Sequence, residues 1–245
     1  MDLNELFTAA AAADLTRPYL TYYDDATGER VELSYATADN WIAKTANLLV
    51  DGLGLEPGDR AYVDVPPHWL GGVILLGCWR AGLAISHEPS SVDVAFVSED
   101  RATTSDVDAD TTCAVSLAPL AAGLRDADAA AAARSGELLD FLAEVRGHGD
   151  HFRPVASPDP ASPALVNLPR GGQRDRAQIA EAAVARAKDL DLAEGARVMF
   201  TADVLRPLDW LLTPLAAKGS VVLSRNTSGD PTARAASEHA RIVQP

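Results

Sequence analysis

The sequence predicts an α/β protein, doubly wound, with mainly parallel sheets and helices on both faces. Short apolar or alternating runs of the strand type take turns with longer runs whose apolar residues recur at three- and four-residue steps. That alternation is what parallel sheets require. It occurs twice, over residues 28–84 and again over 164–243. Between them His148 to Pro163 is rich in Pro, Ser and Asp, the composition of a linker or exposed loop. The expected division is a first αβ lobe over residues 1–150 and a second over 151–245.

Taken in order, MDLNELFTAAAAADL reads as an amphipathic surface helix, and it lacks the basic start of a secretion signal. Pro18 to Tyr23 is a strand, Asp24 to Gly28 a turn, and a second strand ends on Val31 and Leu33, making a hairpin. Ser34 stands where a helix N-cap belongs, and Ala38, Trp41, Ile42, Thr45, Leu48 and Leu49 mark the buried stripe that follows. Gly52 and Gly54 stop that helix. Glu56-Pro57-Gly58-Asp59 turns the chain into the strand Arg60 to Val65, which Pro66 and Pro67 end. Trp69 to Arg80 is an apolar helix, Leu83 to Ile85 a buried strand, and Val94 to Val97 another. Thr112 to Leu117 reads as a strand, Pro119 to Leu124 as a short helix, and Ala127 to Val145 as one helix with Leu138, Leu139 and Leu142 inward. In the second stretch, strands over Ala164 to Leu168, Arg197 to Thr201 and Ser220 to Leu223 alternate with helices over Asp175 to Leu190, Pro207 to Ala217 and Pro231 to Arg241. A last strand begins at Ile242 and Val243.

With 245 residues the chain can bury a sizeable core, and no apolar run is long enough for a membrane helix. A net charge of −14 argues against nucleic acid or an anionic membrane surface as partner. Cys78 and Cys113 are the only cysteines, which fits a reducing cytoplasm better than a disulfide framework. Lys44, Lys188 and Lys218 are the only lysines among 21 basic residues; with abundant Ala and Asp, this is the composition of a high-G+C bacterial genome.

The stretch GERVELSYATADNWIAKTANLLVDGLGLEPGDRAYVDVPPHWLGGVILLGCWRAGLA resembles the opening of the adenylate-forming superfamily, the AMP-binding enzymes that include acyl-CoA synthetases. The segment LLTPLAAKGSVVL is similar to a later helix and strand of the same family. The resemblance implies a shortened N-terminal domain of such an enzyme. A helix usual in the family after Pro89 is missing here.

The resemblance also implies where a phosphate loop belongs. Such a loop works through Ser or Thr hydroxyls, glycines that let backbone amides approach phosphate, and a lysine. The matching place holds Leu168-Pro169-Arg170-Gly171-Gly172-Gln173-Arg174, with no hydroxyl and no lysine. Arg170, Gly171, Gly172 and Arg174 are therefore the candidate site, a degenerate phosphate loop. Arginine's planar fork does not reproduce a lysine's geometry there. The family's later motifs, including its ribose-binding aspartate and catalytic lysine, are expected beyond Pro245. No catalytic residue and no metal ligand is assigned. ATP or AMP with magnesium enters only if the degenerate loop holds phosphate.

Other candidates are weaker. Gly52-Leu53-Gly54 follows a helix, not a strand, and Pro57 stands where a dinucleotide fingerprint needs its third glycine. His148-Gly149-Asp150-His151 has metal-type residues in a loop context, and His68 and His87 read as structural. The expected role is a non-catalytic relative that binds a ligand weakly or docks on a protein. The alternatives are a minimal AMP-forming ligase completed by another subunit, and a structural or regulatory module without a small-molecule ligand. An uncovered strand edge after Pro207 would serve a homodimer or a protein partner, against the alternative of a self-contained monomer.

Overall fold

The structure is a computed structural model that describes residues 2–154, 156, 158–201 and 204–244. Met1, Val155, Ser157, Ala202, Asp203 and Pro245 lie outside the described residues, so two positions of the expected 148–163 linker and the end of the expected last strand do too. The chain forms two compact units that interleave along the sequence. The first comprises Met1–Asp39, Pro67–Gly72 and Arg176–Pro245; the second comprises Asn40–Pro66 and Val73–Asp175.

The first unit is built on a five-stranded sheet. Its strands are β1 (Pro18–Asp24), β2 (Glu29–Ser34), β10 (Arg197–Phe200), β11 (Ser220–Arg225) and β12 (Arg241–Ile242), in the order β12-β10-β11-β1-β2. Only β1 and β2 are antiparallel, as their hairpin requires. β11 is buried along five of its six residues because strands of a parallel sheet are covered on both faces. Helix α1 (Leu3–Ala11) turns Leu3, Leu6, Phe7, Ala10 and Ala11 inward, and Phe7 meets the Tyr19 ring edge-on at 5.5 Å. Helices α6 (Arg176–Asp189), α7 (Thr213–Ala216) and α8 (Pro231–Ser237) complete this unit. Pro214 has no N–H to give the preceding turn, which opens into a π-helical turn over Leu208–Leu212.

The division expected at residue 150 does not follow these units. β1 pairs in parallel with β11, Leu20 opposite Val221 and Tyr22 opposite Leu223, so an N-terminal strand is built into a C-terminal sheet. A long-range pairing of this kind leaves no mark on local composition.

The second unit carries a seven-stranded sheet of β3 (Arg60–Asp64), β4 (Ala84–Ser86), β5 (Val92–Ser98), β6 (Ala109–Val115), β7 (Leu139–Asp140), β8 (Pro163–Val166) and β9 (Arg174–Asp175). Their order is β7-β6-β5-β3-β4-β8-β9, all parallel except β9. Helix α2 (Tyr35–Asn47) begins behind Ser34, whose Oγ accepts from the Thr37 N–H at 3.1 Å, the expected cap. Within the unit α2 and α3 (Trp69–Ala81) pack closely enough that a Cβ at Gly77 would lie 2.6 Å from Thr45.

One expected helix is two. Over 127–145 the chain forms α4 (Ala127–Ser135), then β7, then α5 (Phe141–Val145). Gly136 takes the left-handed conformation at φ 83° and ends α4, with the Glu137 N–H closing on the Ala132 carbonyl at 3.0 Å. The Asp140 side chain then accepts from the Leu142 and Ala143 amides and starts α5. Apolar spacing hid the break, because Leu142 and Phe141 are buried in either arrangement.

Candidate functional site

The loop expected at the phosphate position joins β8 to β9 in a tight antiparallel turn. Its glycines are placed by conformation: Gly171 and Gly172 have φ 76° and 87°, where a side chain is disfavoured. Arg170, Gly171, Gly172 and Arg174 are all exposed, so the four candidate residues share one short loop. The Gly171 N–H donates to the Leu168 carbonyl at 2.7 Å and the Leu168 N–H to the Gly172 carbonyl at 3.3 Å. Two backbone donors are thus turned onto the loop itself. Arg174 donates from Nη1 to the neighbouring Gln173 carbonyl at 3.0 Å. Asn167 stands at φ 52° just before the loop and donates to Ser86 Oγ at 3.0 Å, anchoring its base. Chemically the loop can present two exposed guanidinium groups and little else. Loose contact with an anion lies within its means; a converging set of hydroxyl, lysine and amide donors does not.

His148, Gly149, Asp150 and His151 form a strap. The Asn47 amide of α2 donates to the Gly149 carbonyl at 2.8 Å and to the His151 carbonyl at 3.0 Å. Lys44 donates to the His148 carbonyl at 2.6 Å and pairs with Asp150 at 2.6 Å. Among the described residues no group of three or more His, Cys, Asp or Glu side chains is arranged to hold a metal ion. Gly52 faces the His148 ring, a Cβ there lying 3.0 Å from it, so its small size serves packing of the strap.

His68 is buried and His87 is exposed. The His68 Nδ1 accepts from the Leu70 N–H at 3.1 Å, and its Nε2 lies 3.9 Å from a Glu29 carboxylate oxygen. Burial holds its pKa below the usual 6.5, against the opposing pull of Glu29. Both cysteines are buried and free; burial pushes the Cys113 thiol up to about 12 and raises that of Cys78, so neither is a ready nucleophile.

Two polar features of the first unit escaped the sequence reading. One is an ion-pair network along the sheet: Arg197 pairs with Glu238 at 2.5 Å and donates to Thr21 at 2.8 Å, while the Tyr23 hydroxyl donates to Glu238 and accepts from Arg30 at 2.9 Å. Burial alone would raise the Glu238 pKa, but Tyr23 and Arg197 hold it below its ordinary value. The other is an open polar cavity of about 320 Å³ lined by Asp25, Thr227, Ser228, Asp230 and Arg234. Its groups satisfy one another: Asp25 pairs with Arg234 at 2.6 Å and accepts from the Ser228 N–H at 2.8 Å. The turn over 24–28 was visible, but not that β1 and β11 bring residues 227–230 beside it.

No protein-family model matches the sequence. A curated relative from Mycobacterium tuberculosis, described as a TIGR03089 family protein, is 36% identical over 217 residues, covering 87% of this chain and 85% of the relative. Among solved structures, the acetoacetyl-CoA synthetase of Streptomyces lividans superposes with a TM-score of 0.75 at 17% identity, over 98% of this chain and 41% of that one. An acyl-CoA synthetase of Brucella canis gives 0.70 at 14%, over 98% and 46%. A fatty acyl-adenylate ligase of L. pneumophila, solved with acyl adenylate and pyrophosphate, gives 0.67 at 12%, over 98% and 43%. The fold is therefore that of the N-terminal domain of adenylate-forming enzymes, and the chain spans less than half the length of these ligases.

Proposed function

The chain belongs to the TIGR03089 family, and from that premise we propose that it is a non-catalytic relative of the adenylate-forming ligases that binds a ligand weakly or docks on a protein. The observation that carries this reading is the loop from Leu168 to Arg174: an exposed, self-bonded turn with neither hydroxyl nor lysine, at the place the sequence resemblance gives to a phosphate loop. An acyl-adenylate transition state develops charge that must be met by preorganised donors and metal, an effect worth several kcal/mol. Two exposed arginines on a loop that bonds to itself are poor substitutes for such a set.

The test is carboxylate-dependent ATP–pyrophosphate exchange by the purified chain, with nucleotide binding followed by thermal shift. The expected outcome is exchange at the level of the blank across a panel of carboxylic acids. Ligand at a hundred times its dissociation constant would stabilise by about 2.7 kcal/mol, and millimolar ATP is expected to fall well short of that. Exchange above the blank, or a clear ATP-dependent shift abolished by Arg170→Ala, would instead favour a minimal AMP-forming ligase acting with another subunit. The exposed glycines at positive φ are what that second reading would use, since they leave the backbone open to approach.

A further inference from the structure

The buried histidine at the start of α3 does more than fill space. His68 occupies the N-cap position, one residue before Trp69, and its Nδ1 is the acceptor for the Leu70 N–H at 3.1 Å. Its carbonyl accepts from the Gly72 N–H at 3.0 Å. An imidazole accepts at Nδ1 only when it is neutral with its proton on Nε2; as an imidazolium both nitrogens are donors. Nε2 is buried without a hydrogen-bond partner among the described residues, and a Glu29 carboxylate oxygen lies 3.9 Å away. The two engagements use different nitrogens, and only the cap at Nδ1 is incompatible with a protonated ring. Neutral, it caps α3; protonated, it loses the cap, is repelled by the helix N-terminus and is drawn towards Glu29.

We propose that His68 is an acid-sensitive latch on the first turn of α3, closed by the Nδ1 cap on Leu70 and opened when protonation turns the ring towards Glu29. Every facing group bears on this balance. Tyr22 and Asp24 face it from β1, the Tyr22 ring edge-on at 4.4 Å, while Glu29 faces it from β2 and Arg225 from β11. The two carboxylates favour the open form. Arg225, the helix N-terminus and above all burial favour the closed one. The latch is thus shut at neutral pH and opens only below the pH at which a free histidine takes up its proton.

The experiment uses the full chain, 15N-labelled, followed from about pH 8 to about pH 5 by long-range 1H–15N spectra and by amide exchange corrected for its intrinsic rate. One of the five imidazoles, the one missing from His68→Asn, should be the Nε2–H tautomer at high pH. Protection of the Leu70 and Gly72 amides should fall about fivefold as that ring takes up its proton, the size expected for a lost cap. In His68→Asn, whose side-chain oxygen caps without titrating, protection should stay level over the same range. A ring protonated on Nδ1 at high pH overturns the proposal, and so does equal acid sensitivity in both proteins. Should His68→Asn fail to fold, the wild-type spectra decide alone: loss of protection that tracks the His68 proton supports the latch, and loss that does not track it overturns it.

Discussion

The two compact units solve burial in opposite ways. The first hides ionisable groups: Arg176 and Asp209 are both 0% exposed, His68 is 1%, and Asp2, Asp24 and Glu29 are also buried. The second, among its described residues, buries no charged side chain at all; its buried polar groups are Thr45, Asn47, Ser86, Ser98 and Ser116. Arg176 is met by Asp2 at 2.7 Å, and Asp209 by Arg186 at 3.0 Å and Arg206 at 2.8 Å. A buried charge is tolerable only when paired. The first unit should therefore respond to loss of a partner and to pH, and the second to volume.

The sharpest break of this contrast is Asp2→Ala. It leaves a fully buried guanidinium without its carboxylate and removes the α1 N-cap, and the expected loss is about 3–5 kcal/mol. Chemical denaturation measures it, and hydrogen exchange should place the loosening in α1 and α6. Adding Arg176→Met should return much of the loss, because the stranded charge is gone. A double variant no better than the single one would contradict the charge account.

The counterpart in the second unit is Gly77→Ala, which adds no charge but sets a methyl 2.6 Å from Thr45. The expected cost is about 1–3 kcal/mol, partly recovered by Thr45→Ala. Asn47→Ala should cost about 1–2 kcal/mol by freeing the 148–151 strap, seen as faster exchange or proteolysis there and nowhere else.

The pH arm follows from sign. His68 has a folded pKa below the ordinary 6.5, so the unfolded chain binds a proton that the folded chain refuses. Its contribution is full above about pH 6.5 and is lost as pH falls from there towards the folded pKa, with a slope of at most about 1.4 kcal/mol per unit. Melts of wild type and His68→Asn should diverge in that window and run parallel above it. The smallest effect belongs to Arg170→Ala: on an exposed loop it should change stability by no more than about 0.5 kcal/mol, leaving any change in ATP response attributable to binding.

Much of the fold was legible because local periodicity marks burial. The stripe from Ala38 to Leu49, the apolar helix from Trp69 and the continuous runs at β5 and β11 each stand where the sequence put them. The tight turn from Leu168 to Arg174 was legible too, since paired glycines need no distant partner to be noticed. His68 was seen only as structural, because its cap on Leu70 is local but its neighbours Tyr22, Glu29 and Arg225 arrive from three other strands.

The sequence by itself therefore determined most of the element order, the α/β class and the absence of hydroxyl and lysine from Leu168 to Arg174, all of which are properties of neighbouring residues. Tertiary structure alone decided that β1 lies beside β11, that Arg176 finds Asp2, and that Asn47 holds carbonyls more than a hundred positions away. The physical reason is range. Apolar periodicity is imposed by helix and strand geometry over a few residues, whereas a buried charge is made stable by whichever distant group the fold delivers to it.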